Sequence, residues 1–264
     1  MTVGQFMHNS FAPFGIQDAG GYASFYPRRY AEYIHLSQSG PGVPFPDNFS
    51  RWMEFTRFGS PLLDLINIKY VMVPPSEHLK VEHLKLVYSG EVNIYENTSA
   101  FPRVFFVPGY QFSESRQSAY DAIVSYRATD FKNRVILETR PPEEFHQVRN
   151  GILGTGPAIR LMDYKPDRVE IQISTDIKGF LVISDNYHPD WDVAVDGKPG
   201  RIFRANYIMR AIPIQSGNHT VSLRFHPKLL PWGLKLTASG WILMGLMIAA
   251  VSYTHLTLPT TPYV

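Results

Sequence analysis

Four aspartates crowd one short stretch of the chain: Asp185, Asp190, Asp192 and Asp196. Hard cations need several oxygen ligands converging from a loop, so this run is the first place to look for a metal. The spacing does not follow the EF-hand loop. Asp192 and Asp196 also lie on the face of a β-patterned segment opposite Trp191, as solvated strand positions do. No metal is therefore expected. His188 and His219 fall in or beside turns, with no paired-His spacing anywhere. Glu143-Glu144 would serve as acid and base only with a distant partner, and a solvated loop explains them. There is no cysteine, no G-x-S-x-G and no Gly-rich phosphate loop, so neither catalytic residues nor a cofactor are expected. Trp191, Arg204, Asn206 and Tyr207 form the most suggestive polar-aromatic set. A glycan-binding face combines flat rings with side-chain donors and acceptors, which makes these four the candidate glycan contacts. The competing reading puts Trp191 in the core, because it shares its alternation with Val193 and Val195.

The elements that would position these residues follow from pattern. Pro27 suits a helix start before RRYAEYIHL, with Tyr22, Tyr26, Tyr30 and Tyr33 at helical spacing. That stripe reads as a half-buried aromatic face. Ser60-Pro61 caps a short helix through LLDLIN. IKYVMV is strand-like, HLKLVYSG and EVNIYEN read as a hairpin about Ser89-Gly90, and RVFFV is another strand. SESRQSAYDAIVSY fits an amphipathic helix, which closes a small α+β region at residue 126. Beyond it VILE, AIRLMDY, RVEIQIS and GFLVIS are strands. Val169, Ile171 and Ile173 alternate with polar residues, whereas GFLVIS is continuously apolar and suits a strand buried on both faces. Asp196-Gly197 and Ser216-Gly217-Asn218 supply turns, and Val221, Leu223 and Phe225 face inward. Short strands at this density point to an antiparallel β-sandwich or jelly roll over 127–228.

The hydrophobic stretch Leu236–Tyr253 is long enough to cross a bilayer core, and no Asp, Glu, Lys or Arg occurs after Lys235. Residues 229–253 are thus expected to form a transmembrane helix. The run SYTHLTLPTT resembles translated sequencing-adapter read-through, so 254–264 is set aside from fold reasoning as a non-native tail. The net charge of +2 with scattered basic residues argues against nucleic acid, and 44% apolar content supports a packed core. MTVGQFMHNSF has no secretory-signal pattern. A lone anchor on such a chain would leave the domain in the cytoplasm, and Arg224, Lys228 and Lys235 before the apolar stretch Leu236–Tyr253 point the same way. The sequons at Asn48, Asn97 and Asn218 matter only in a eukaryotic secretory setting.

The block GFLVISDNYHPDWDVAVDGKPGRIFRANYIMRAIPIQSGNHTVSLRFHPK, followed by an apolar helix, closely resembles the C-terminal end of YfhO-like bacterial membrane proteins. DAGGYASFYPRRYAEYI, LLDLINIKYVMV and GEVNIYENTSAFPRVFFV resemble earlier extracytoplasmic segments of the same family. The family pattern has Gly after the Pro where this chain has Asp190, which questions the loop shape there if the turn needs positive φ. The resemblance implies a polytopic protein similar to the GT-C class of lipid-sugar-dependent glycosyltransferases, which decorate cell-envelope polymers. It implies that this chain is a C-terminal fragment whose main domain faces outward. The class's catalytic acid belongs to an early loop with no counterpart here, so no catalytic residue carries over. The expected role is accessory, with membrane lipid and a cell-envelope glycan or polyprenyl-linked sugar as partners. The alternative is a membrane-tethered carbohydrate-binding or adhesion module without enzymatic activity.

Overall fold

The computed structural model describes residues 11–20, 26–46, 55–145 and 156–257. Tyr22, the sequon at Asn48 and the end of the chain from residue 258 lie outside the described residues. Two compact units emerge, Met1–Arg224 and Phe225–Val264.

Within the first unit the fold is built on a six-stranded sheet that is covered on both faces. It contains β4 (Val104–Val107), β5 (Gly109–Phe112), β6 (Arg134–Leu137), β9 (Gly179–Ile183), β12 (Phe203–Ala205) and β13 (Met209–Ile214), ordered β4-β9-β13-β12-β6-β5. One face meets a five-stranded sheet of β7 (Ala158–Tyr164), β8 (Arg168–Thr175), β10 (Trp191–Val195), β11 (Lys198–Pro199) and β14 (Gly217–Phe225), ordered β11-β10-β14-β8-β7. Leu181, Ile183, Ile212, Ile214, Val104 and Phe106 pack there against Val169, Ile171, Ile173, Val193, Val221 and Leu223. The alternate residues of the same strands, Phe105, Val107, Phe180, Val182, Met209 and Ala211, belong to a second core. That core is completed by α1 (Arg28–Ser39), α2 (Pro61–Leu65), α3 (Arg116–Ser125), α4 (Asp130–Asn133) and a small sheet ordered β1-β3-β2. Its strands are β1 (Tyr70–Val73), β2 (Leu84–Ser89) and β3 (Asn93–Asn97).

Local chemistry explains these placements. All five residues of β9 are buried, which accounts for its unbroken apolar run, whereas β8 buries Val169, Ile171 and Ile173 only on its inner side. Each fully buried large apolar side chain stabilises by about 1.5–3 kcal/mol relative to exposure, so a strand apolar on both sides belongs at the centre. Gly179 opens β9 where a Cβ would meet the Val107 carbonyl at 2.4 Å. In α1, Tyr33 is wholly buried and donates to the Leu62 carbonyl at 2.7 Å, while Tyr30 donates to Ala19 O. Tyr26, Tyr30 and Tyr33 of the stripe thus turn toward the core. Ser115 caps α3 in a capping box with Ser118.

β5 and β6 pair in parallel, whereas β1–β3, β2–β3, β4–β9, β9–β13, β12–β13, β6–β12, β7–β8, β8–β14 and β10–β11 pair antiparallel. Asp196 (φ 52) and Gly197 (φ 76) make the two-residue turn between β10 and β11. The chain then crosses to the other sheet. Likewise β13 and β14, expected to be joined by a turn at Ser216-Gly217-Asn218, lie in different sheets, so the Ser216-Gly217 segment is a crossover between layers. Strands from both sides of residue 126 share the six-stranded sheet. Asp190 is not among the residues with positive φ, so aspartate suits this loop without backbone strain.

The second unit contains α5 (Leu230–Thr257). Within its segment Leu230–Thr254 an 18-residue stretch reaches mean hydropathy 1.7. At about 1.5 Å per residue it exceeds the ~30 Å hydrocarbon core of a bilayer. The helix begins after Pro227, close to where it was expected. It continues through Thr254–Thr257 instead of stopping at Tyr253.

Candidate functional site

At the end of β9 the chain leaves the sheet as Ser184-Asp185-Asn186, and Ser184 N bonds to the Arg103 carbonyl at 3.0 Å. That bond brings the approach to β4 alongside Asp185. The Asp185 carboxylate then gathers three donors. Its Oδ1 accepts from Arg103 Nη1 and from the Tyr164 hydroxyl, both at 2.9 Å, and its Oδ2 accepts from Arg210 Nη2 at 2.5 Å. The Arg103 guanidinium lies 5.2 Å from the Tyr164 ring centroid, and that of Arg210 lies 4.4 Å from the Trp191 ring centroid. Two guanidinium groups therefore share one carboxylate.

Arg210 is the anomaly of this cluster. It is 2% exposed, and its Nε and Nη1 make no hydrogen bond; neither does the buried Ser184 Oγ. Burial pulls the Arg210 pKa down, and the Asp185 charge opposes that fall. Tyr164 is pushed up, first by burial and then by Asp185. A cleft of about 560 Å³ opens beside the cluster, lined by Tyr30, Asn67, Tyr70, Arg103, Tyr164, Ser184 and Asp185 among others. Its size falls in the range of small-ligand sites. Asn67 holds a left-handed conformation (φ 61) and donates to the Phe101 carbonyl at 2.6 Å.

A second polar cluster centres on Glu32 of α1. Its carboxylate accepts from Arg116, from the Tyr207 hydroxyl and, at 3.1 Å, from Arg28 Nε. Burial raises the Glu32 pKa, but these donors outweigh it and hold the carboxyl below its usual range. Tyr207 is pushed up to about 12 by burial and by Glu32. Arg29 pairs with Glu138 and donates to the Tyr207 carbonyl at 3.3 Å.

The four residues singled out from sequence divide between these clusters. Trp191 is partly buried on the sandwich core and carries Arg210 on its ring. Asn206 and Tyr207 follow β12 and both take positive φ, 42 and 73. Asn206 is 0% exposed; its Oδ1 accepts from Ile136 N at 3.0 Å and its own N–H donates to Ile136 O at 2.9 Å. It fastens the β12–β13 turn to β6. Tyr207 fastens the same turn to α1 and α3 through Glu32 and Arg116. Arg204 lies 4.2 Å from the Tyr187 ring centroid, with its pKa lowered first by burial and then by Arg29.

The aspartates do not converge. Asp185 is held by arginines, whereas Asp196 accepts from Thr220 N and pairs with His219 Nδ1 at 2.7 Å. Among the described residues no three His, Asp or Glu side chains form a metal-holding group. Glu143 and Glu144 are exposed. Asn97 is buried, with its amide on Asp64 and the Ile68 carbonyl. Sequence reasoning missed Arg103, Tyr164 and Arg210 as partners of Asp185. The available signal was an arginine, Arg210, interrupting an apolar strand buried on both faces.

Residues 143–237 match the family described as bacterial membrane protein YfhO, so the chain is YfhO-like over that stretch. The match spans β7 to β14 and the first turns of α5, and includes Asp185, Trp191, Arg204, Asn206 and Arg210. The segments before Glu143 that resemble the family lie outside it. No curated protein and no solved structure matches the chain.

Proposed function

We propose, starting from a YfhO-like membrane protein, that this chain is the accessory, non-catalytic portion of a machinery for lipid-sugar-dependent glycosylation of cell-envelope polymers. Its role is to hold an acceptor glycan on the extracytoplasmic side of the membrane. One observation carries this reading: the cleft beside Asp185 presents tyrosine rings, amides and charged donors together, the combination that hydroxyl-rich ligands require. The Asp185 carboxylate is engaged by Arg103, Tyr164 and Arg210, an arrangement that favours fixed hydrogen bonds over proton transfer. The residues first considered, Trp191, Arg204, Asn206 and Tyr207, then act on the glycan through the scaffold, with Trp191 supporting Arg210 from behind.

The test uses the full chain in lipid nanodiscs. Fragments of cell-envelope glycan should bind at micromolar to millimolar concentration, and Tyr70→Ala, at the cleft wall, should weaken that binding. The chain alone should not transfer sugar from a polyprenyl-phosphate donor. Sugar transfer by the chain alone would overturn the accessory role. Binding unaffected by Tyr70→Ala would remove the cleft as the site.

A further inference from the structure

A second cleft, of about 570 Å³, has a chemistry that the scaffold role of Glu32 does not use. Arg28 and Glu32 of α1, Arg116 and Tyr120 of α3 and the segment Val43–Phe45 line it, among others. Both arginines converge on the Glu32 carboxylate, yet it does not occupy them fully. Arg28 engages it through Nε and Arg116 through Nη2, with Arg116 Nε on the Tyr207 hydroxyl. Among the described residues nothing pairs with Arg28 Nη1 and Nη2, Arg116 Nη1 or the Tyr120 hydroxyl. These donors are within reach of a ligand, since the Arg28 and Arg116 side chains are 75% and 44% exposed and Tyr120 is half-buried. Two guanidiniums against one carboxylate are the charges lining the cleft. Outside the lining, exposed Asp121 accepts from Gln117 and is offset by Arg204, which makes no ion pair among the described residues, while Arg29 is paired with Glu138. Each lining arginine also stands on the first residue of its helix, where positive charge is disfavoured, and neither first turn holds an acid. The Arg28–Glu32 pair runs in the less favourable order along α1. Stability alone gives little reason for this placement.

We propose that this cleft binds a phosphate monoester, with its oxygens on the outer edges of Arg28 and Arg116 and on the Tyr120 hydroxyl, and its body against Val43–Phe45. Guanidinium edges hold phosphate by paired, charge-assisted hydrogen bonds. Three donor groups from two helices suit an acceptor with three free oxygens better than the two of a carboxylate. Glu32 and Tyr207 position Arg116 and are not contacts. No residue lines both this cleft and the one beside Asp185, so the site stands apart from the glycan-holding role.

The full chain in maltoside detergent is titrated with glucose 1-phosphate and with glucose, with binding read by calorimetry. The phosphate ester should bind about ten-fold or more tightly than glucose, because hydrogen bonds to charged groups contribute that much. Arg28→Gln and Tyr120→Phe should each weaken it several-fold. Arg28→Lys, which keeps the charge but loses the paired edge, should recover only part of the loss. Arg28→Gln should leave the unfolding temperature nearly unchanged, since an exposed ion pair contributes little, so the weakened binding is not a folding defect. Tyr70→Ala, in the other cleft, should leave phosphate binding as it is. Competition with dihexanoyl phosphatidic acid separates the two sources of the group: displacement at lower concentration than glucose 1-phosphate requires identifies a lipid headgroup, and weaker displacement a soluble ester. Glucose bound as tightly as glucose 1-phosphate would overturn the site while leaving the glycan role standing. Phosphate affinity unmoved by Arg28→Gln would overturn it as well, and loss of that affinity in Tyr70→Ala alone would transfer the binding to the cleft beside Asp185.

Discussion

Asn206 offers the sharpest test of whether the β12–β13 turn is scaffold or ligand contact. Replacing it with alanine removes the acceptor for Ile136 N–H, in a residue with no exposed surface. An unsatisfied buried donor costs about 1–3 kcal/mol. Alanine must also adopt φ 42, a left-handed conformation that costs most L-residues roughly 1–2 kcal/mol and that asparagine tolerates better. The sum is about 2–5 kcal/mol. Asn206→Gly loses the same acceptor but escapes the steric term, so it should cost about 1–3 kcal/mol. For a chain of this size, 1 kcal/mol shifts Tm by roughly 2–4 °C. Tryptophan fluorescence during heating of the full chain in detergent should therefore rank native above glycine above alanine, with alanine lower by roughly 5–15 °C. Glycan affinity measured well below both transitions should change little. An alanine variant as stable as the glycine variant would refute the backbone argument. Unchanged Tm for both, with glycan binding lost, would refute the scaffold role itself.

Three other perturbations follow from the same geometry. Asp185→Asn leaves Arg210 buried without its counter-charge, a loss of about 3–5 kcal/mol; denaturant midpoints unchanged from native would contradict the pairing. Glu32 has a folded pKa lowered by Tyr207, Arg116 and Arg28 against the opposing effect of burial. Its contribution is therefore present above the ordinary carboxylate pKa, about 4.3, and is lost as pH falls through the lower folded value. Glu32→Gln should flatten the pH dependence of Tm below about pH 5, and a profile parallel to native would rule out Glu32 as a source of acid sensitivity. Ile242→Arg puts a charge near the middle of α5, which costs about 2.5–3.5 kcal/mol of insertion free energy. Carbonate extraction should move part of the protein into the soluble fraction, and full retention would argue against a spanning role for this helix.

What was legible in the sequence was whatever depends on near neighbours. The continuous apolarity of β9, the alternation of β8 and the Asp196-Gly197 turn are local patterns, and each stands in the structure where it was read, while the apolar run of α5 gives a helix that extends on to Thr257. Sheet membership was not legible. Alternation says which residues face inward, but not which of two sheets they face inward from, so the turn at Ser216-Gly217-Asn218 did not show that it crosses between sheets. The parallel pairing of β5 with β6 depends on the path of the intervening α3 and α4, which no local pattern encodes. The Asp185 cluster assembles Arg103, Tyr164 and Arg210 from three distant strands or their ends. Composition marked Asp185 as one of four clustered acids, whereas the fold pairs it with cations.

The central sheet also explains why one stretch of sequence serves two purposes. Both of its faces are buried, so every polar side chain on its strands must be satisfied internally or by a ligand. Asn206 meets that requirement completely, since its side-chain oxygen and its backbone N–H both engage Ile136, and the fixed turn lets Tyr207 reach Glu32. Arg210, four residues on, meets it only in part. Paying desolvation on a guanidinium while leaving two nitrogens unbonded is a poor design for stability alone, because an apolar replacement of similar volume is often neutral or stabilising. The fastening residues and the unsatisfied one therefore have different reasons to be there. The asparagine and tyrosine hold the entry to β13 in place, whereas Arg210 stays on Asp185 with two nitrogens unbonded.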